Sequence, residues 1–393
     1  MTTPRFLQIH TLHSYPAALL NRDDSGLAKR LPFGDAVRTR ISSQCLKRHW
    51  RVADDEFALK NIDGFTGAVR SRNVVDREVI QPLRDADESS DEVLTAVGDA
   101  FNESIYGSSG TTESGRQPLL LGLPEVEYLR QQAAAICDAH PDDPKAAAAA
   151  AELLFKPLRR NEQRENFRAF QEQTRLPGGL IGALFGRMVT SDPGANIDAA
   201  IHVAHAFTVH QEESESDYFS VVDDLQREDE DPGAAHIGDM ELTAGLFYGY
   251  VVVDVPGLVS NLTGCKAEAW ENADRTLAGR VVEHLVQLIA TVSPGAKLGS
   301  TAPYGYADLM LIEAGSRQPR SLANAFRAPV QARTAAAVTA LADHLSKLDA
   351  AYGARESRRV MAVDDCNLPQ AARLCLDDLA AWVAQTVRNG EAG

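Results

Sequence analysis

NRDDSGLAKRLPFGDAVRTRISSQCLKRHWR, residues 21–51, sets eight Lys and Arg (Arg22, Lys29, Arg30, Arg38, Arg40, Lys47, Arg48 and Arg51) against three acids (Asp23, Asp24 and Asp35). The local balance is +5, in a chain of 393 residues whose formal net charge is −16. Like charges repel, so a cationic segment in an acidic chain points to an anionic partner, and phosphate is the commonest. The second half of the stretch predicts a strand end at Ile41 turning into a helix, with Ser42 or Ser43 as N-cap. From there Gln44, Lys47, Arg48 and Arg51 fall at i, i+3, i+4 and i+7, on one face. Leu46, Trp50 and Ala53 fall on another, which a sheet can bury. The helix N-terminus adds free N–H donors and a partial positive charge. An ordinary amphipathic helix with a solvated basic face would show the same spacing; the charge contrast with the rest of the chain favours a nucleic-acid backbone.

Around this stretch the chain reads as a soluble protein with a sizeable core: 44% hydrophobic and 24% charged residues. No apolar run is long enough to cross a membrane, and MTTPRFLQIH has no apolar h-region, so a cytoplasmic protein is expected. The five cysteines (Cys45, Cys137, Cys265, Cys366 and Cys375) form no C-x-x-C pair, which fits a reducing compartment and argues against a zinc knuckle. An acidic pI near 5.1 excludes a protein that binds nucleic acid with its whole surface and allows a confined cationic groove.

Residues 6–12 alternate, Leu7 and Ile9 against Gln8 and His10, as a half-buried strand does. Residues 61–175 read as helices with polar turns. The six alanines after Asp143-Pro144-Lys145 make a helix with Pro in its first turn. The glycine-rich run 178–186 lacks the Gly-Lys-Ser/Thr ending of a P-loop and the spacing of a dinucleotide fingerprint, so no nucleotide cofactor is expected; its glycines are read as a turn back into the main sheet. Residues 196–210 and 241–255 are rich in β-formers. Between them, residues 212–241 hold twelve acids and one Arg around Tyr218, Phe219, Val221, Val222 and Leu225. That pattern is a protruding hairpin with an apolar tip, which docks outside its own domain. Further on, helix (267–292), strand (306–312), helix (330–348), strand (359–363) and helix (370–388) follow. The strand–helix–strand–strand–helix–strand order is what a ferredoxin-like or RNA-recognition-motif-like sheet requires.

His202, His205 and His210 invite a metal reading. A strand of period two, however, sends His202 and His210 to one face and His205 to the other, and no H-E-x-x-H or Cys partner accompanies them. No metal site is expected. Asp23, Asp24 and Asp35 could serve a metal-dependent RNA-cleaving enzyme, yet no general base stands near them, and salt bridges to neighbouring arginines that shape the loop are the simpler role. Neither a nucleophile elbow nor a paired-carboxylate motif stands out, so the chain is read as not an enzyme.

The opening resembles the CasC family, the backbone subunit of type I-E CRISPR Cascade complexes. The residues that carry the resemblance are Ile9-His10, 20–24 (LNRDD), 40–44 (RISSQ) and 46–48 (LKR), then 204–206 (AHA), His210-Gln211, Phe219, 222–226 (VDDLQ) and 245–248 (GLFY). The likeness thins in the middle third and at the end of the chain. It implies an α+β fold in the form of a right hand: an RRM/ferredoxin-like palm (1–60, 186–211 and 242–393), an inserted helical fingers domain (61–185) and a β-hairpin thumb (212–241). It also implies a non-catalytic subunit that polymerises head-to-tail with copies of itself along a crRNA. Other Cascade subunits are the further partners, and target DNA is met through the guide. Arg22, Lys29, Arg38, Arg40, Ser42, Gln44, Lys47, Arg48 and Arg51 would grip phosphates, with Lys297 as an additional candidate. At the positions of Met188, Phe219 and Val222 the family wedges apolar groups against bases where the RNA is kinked. Residues 212–216 and 227–232 depart from the family pattern. In related backbone subunits of type III complexes a loop Asp cleaves RNA, which keeps the enzyme reading as the alternative.

Overall fold

The computed structural model describes residues 3–87, 89–107, 112–155, 178–188, 196–221 and 236–390. The chain divides into two compact units. The first comprises Met1–Leu59, His202–Val255 and Ala278–Gly393, and the second Lys60–Ile201 and Pro256–Leu277.

The first unit is built on a mostly antiparallel sheet. Its strands are β1 (Phe6–Ala18), β2 (Arg30–Phe33), β3 (Ala36–Ile41), β4 (Ile201–Val203), β5 (Ala206–Thr208), β6 (Glu213–Val221), β7 (His236–Asp254), β8 (Ala307–Gly315), β9 (Ser357–Ala362) and β10 (Ala371–Arg373). Their order is β10-β9-β8-β1-β7-β5-β3-β2, with β4 and β6 also paired to β7. Only the β9–β10 pair is parallel among the registers described. The helices are α1 (Ser43–Val52), α2 (Thr276–Thr291), α3 (Thr334–Tyr352) and α4 (Leu376–Asn389). Chain order thus runs β1-α1-β5-β7-α2-β8 around the centre of the sheet, a mixed α+β architecture.

Every residue of β1 from Leu7 to Leu12 is buried, so the central strand is covered on both faces. On one face Ala337, Leu341 and Leu345 of α3, spaced four apart, meet Leu12, Tyr248, Leu309 and Leu311. Burying alternate residues Gln8 and His10 on a covered face requires polar partners. Gln8 Oε1 accepts from Tyr250 Oη (2.9 Å) and the Arg320 N–H (2.7 Å). His10 meets Tyr248 Oη (2.9 Å) and Glu313 Oε2 (3.2 Å). Glu313 also receives Arg320 (2.6 Å) and Arg358 (2.8 Å), and Arg358 reaches on to Asp349 of α3 (2.6 and 2.7 Å). Burial opposes the charge of Glu313, but His10 and the guanidiniums overcome it and hold its carboxyl below the ordinary range. This network fixes α3 and the 316–326 segment to the sheet.

In the second unit a two-stranded sheet (Ala68–Ser71 with Leu119–Gly122) joins the helices Asp91–Tyr106, Leu123–Ala139 and Pro144–Phe155. The alanine tract is helical. Ala147, Ala151 and Phe155 form its buried stripe, and Phe155 meets Phe101 edge-on at 5.2 Å. The glycine-rich run is a helix, Gly179–Phe185, rather than a turn into the sheet. Gly179, at φ +63, lies so near the backbone that a Cβ would stand 2.7 Å from the carbonyl oxygens of Thr66 and Gly67.

Candidate nucleic-acid interface

The basic stretch is laced into one piece by its own backbone. The Lys29 N–H donates to the Asn21 carbonyl (2.9 Å), the Arg40 N–H to the Lys29 carbonyl (2.7 Å) and the Ser42 N–H to Asn21 Oδ1 (2.9 Å). Asp23 Oδ1 accepts from the N–H groups of Ser25 and Leu27, both at 3.0 Å, an Asx turn that shapes the loop. The β2–β3 hairpin turns at Gly34-Asp35 with φ +62 at Gly34, the position where such a tight loop favours glycine. Ser42 caps α1, its Oγ accepting the Cys45 N–H at 3.3 Å. Trp50 is buried and Leu46 packs against Tyr15, Ile41 and Phe247, so α1 is held down by its apolar side.

The opposite side presents the spaced polar set. Gln44 and Arg48 are exposed and Lys47 and Arg51 half-buried. Arg22 is exposed, Lys29 and Arg40 half-buried. These cations act on common neighbours. His205, lowered first by burial, is lowered further by Arg40, Lys29 and Lys47, and Arg40 Nη1 donates to its Nδ1 at 2.9 Å. Burial raises Cys45, while Lys29 and Arg48 pull the other way. The structure therefore gathers Lys29, Arg40, Lys47 and Arg48 into one positive field with a neutral His205 inside it. The sequence favoured a structural or hydrogen-bonding role for His205 over a metal ligand, and its bond to Arg40 is of that kind.

Two predicted contacts have other tasks. Arg38 is fully buried, its Nη1 donating to the Thr208 carbonyl (2.9 Å) and Nη2 to the Phe326 carbonyl (2.9 Å), with longer bonds to His210 and Arg327. A guanidinium with both Nη groups on backbone carbonyls and no exposed surface does not face a phosphate on the outside of this chain. Ser42 is buried, and its hydroxyl oxygen accepts the helix-capping bond.

Lys297 lies on the loop between α2 and β8, which is fastened to the basic stretch. The Gly295 N–H reaches His49 Nε2 of α1 (3.4 Å) and the Ala296 N–H donates to the Leu19 carbonyl (3.0 Å). Ser293 Oγ closes the loop against the N–H and carbonyl of Gly305, both at 2.9 Å. Exposed Lys297 holds its Nζ 6.0 Å from the Phe219 ring centroid. Phe219 stands on β6 opposite Gly238, where a Cβ would strike the ring at 2.6 Å. Basic helix, Lys297 loop and hairpin thus form a continuous surface.

Met188 belongs to the second unit and is 71% exposed. It rims a groove of about 510 Å³ with Arg70, Gln117 and Asp198. The segment before it is anchored by the buried pair of Arg187 and Glu125 (2.5 and 2.6 Å). Val222 lies outside the described residues. Among the described residues no group of three His, Cys, Asp or Glu could hold a metal ion, and no helix is long and apolar enough to cross a membrane.

With this geometry in place, comparison gives the class first. The CT1975-like protein family matches residues 7–385, and the chain belongs to it, a family of CRISPR-associated proteins. Among solved structures, it is similar to a chain of a "CRISPR RNA-guided surveillance complex, pre-nicking", with a TM-score of 0.74 and 25% identity, covering 96% of this chain and 100% of that one. A chain of a second "CRISPR RNA-guided surveillance complex" has the same fold, with a TM-score of 0.65 and 22% identity over 96% of this chain and 99% of that one. Comparison with curated proteins finds no match.

Proposed function

We propose that this chain is the non-catalytic, crRNA-binding backbone subunit of a type I-E Cascade surveillance complex. Family membership and the named complexes support a place among crRNA-associated Cascade subunits. The order β8-β1-β7-β5, with α1 and α2 in the two crossovers, fits an RRM-like palm; β6 and the facing part of β7 form the thumb, and the second unit contains the fingers. The single observation that carries the reading is the joined surface of Gln44, Lys47, Arg48 and Arg51 on α1, Lys297 on its loop and Phe219 on the hairpin.

Because β1 is covered on both faces, the guide does not lie on the sheet as in an isolated RRM. It follows the basic ledge instead, where cations hold phosphates without reading sequence. Phe219 on the hairpin and Met188 in the second unit each offer an apolar face to bases. Copies repeat head-to-tail along the RNA, and the bases left accessible pair with target DNA, so specificity resides in the guide. The protein works in the cytoplasm. A titration of guide-length RNA at several salt concentrations tests this reading. Affinity must fall steeply with salt, since each neutralised phosphate releases counterions; salt-independent binding contradicts it.

A further inference from the structure

Arg30 belongs to the basic stretch, directly after Lys29 and on the strand paired with that of Arg38 and Arg40, yet its side chain is turned to a different task. Its Nε donates to Glu212 Oε2 and its Nη2 to Glu241 Oε1, while Nη1 reaches the Ala28 carbonyl at 3.2 Å. Glu241 is bound a second time, its Oε2 accepting the Ala28 N–H at 2.6 Å. The Glu212 N–H donates to the Val37 carbonyl of β3 at 2.9 Å. The two carboxylates belong to the two sides of the same hairpin. Glu212 precedes β6, and Glu241 sits in β7 opposite Ser216. Glu241 is 10% exposed at its side chain and Glu212 28%, so the clasp is largely shielded from solvent. A planar fork that serves two carboxylates at once suits arginine, not lysine.

We infer that Arg30 is a positioning residue for the hairpin: it clamps both sides of the hairpin root to β2 and contributes nothing to the guide contact. The inference rests on the RNA-binding reading only for its second readout. It accounts for a cation whose charge is already exceeded by its two partners, and for acidic side chains at the root of an arm that must approach RNA. With the root fixed, the arm that bears Phe219 has its direction set before any guide arrives.

Hydrogen exchange of the RNA-free protein reads the clasp directly. Arg30→Gln should accelerate exchange in peptides covering residues 214–219 about tenfold or more, because the root opens locally. The double substitution Glu212→Gln with Glu241→Gln should do the same, since it breaks the same contact from the other side. Arg30→Lys, which keeps the charge and loses the fork, should fall between these and wild type. Exchange equal to wild type in all three overturns the inference. The second readout is RNA affinity against salt: Arg30→Gln should keep the wild-type slope, whereas a slope reduced by about 0.7, the value of one phosphate contact on a single strand, also overturns it. If the wild-type chain binds no RNA, the function fails while hydrogen exchange still decides the role of Arg30.

Discussion

Replacing Arg38 with methionine separates a structural guanidinium from a phosphate contact. Its two short bonds to the Thr208 and Phe326 carbonyls link β3, β5 and the 326–327 segment. Bonds from a charged donor contribute about 1.5–3 kcal/mol each, so their loss costs roughly 3–6 kcal/mol. Part is returned, because burial lowers the pKa of Arg38 and its Nε has no partner. The net cost should be about 2–4 kcal/mol, or roughly 4–16 °C in melting temperature for a unit of this size. Thermal unfolding followed by circular dichroism measures it. RNA titrations well below the melting temperature should show an unchanged salt slope. A variant as stable as wild type with a shallower slope would refute the reasoning, for Arg38 would then be gripping phosphate.

His13 and Asp23 give two further tests. Burial pushes His13 down to about 4, against backbone carbonyls and Asp308 that pull it up. Its folded value lies below the unfolded one, so its contribution to stability is complete above pH 6.5 and is lost as pH falls toward 4, an effect of about 3 kcal/mol. His13→Gln should shrink the acid loss seen in urea midpoints by that amount; an unchanged loss would show that burial does not depress the pKa of His13. Asp23→Ala removes the acceptor of the Ser25 and Leu27 N–H groups and should weaken RNA binding several-fold, while Asp23→Asn, which retains an acceptor oxygen, should preserve it. Incubating wild type with labelled RNA and Mg²⁺ should give no cleavage; regular cuts abolished by Asp23→Ala would make the chain a nuclease.

The parts of the fold written in local pattern were readable before any coordinates. Ser42 and the spacing through Arg51 specify α1 because a cap and a period of 3.6 act within a few residues. The start of β1 was visible for the same reason, although β1 runs on to Ala18 and carries buried polar groups. So were the two sides of the acidic segment that pair as β6 and β7, its residues 222–235 lying outside the described ones. Local pattern failed where distant partners decide. Arg38 is buried by carbonyls 170 and 288 residues away, which no spacing reveals. Arg30 looked like its basic neighbours until Glu212 and Glu241 were placed beside it. The last predicted helix, 370–388, begins instead with β10, because residues 371–373 find a parallel partner in β9. The predicted helix 267–292 is a 3-10 turn followed by α2, with Asp274 Oδ1 accepting the Thr276 N–H at the break. His205 needed Arg40, Lys29 and Lys47 in space before it became part of the cationic field.

The central claim is that the exposed cations of the basic stretch hold a phosphate strand. Among the described residues, Arg22 and Arg48 pair with no carboxylate, and both are exposed. Filter binding of a guide-length RNA across salt concentrations, comparing wild type with Arg22→Ala/Arg48→Ala, tests the claim most directly. The account predicts a slope of log affinity against log salt shallower by about 1.4 in the double variant, two contacts' worth, at unchanged fold. An identical slope and affinity for the two proteins would contradict it.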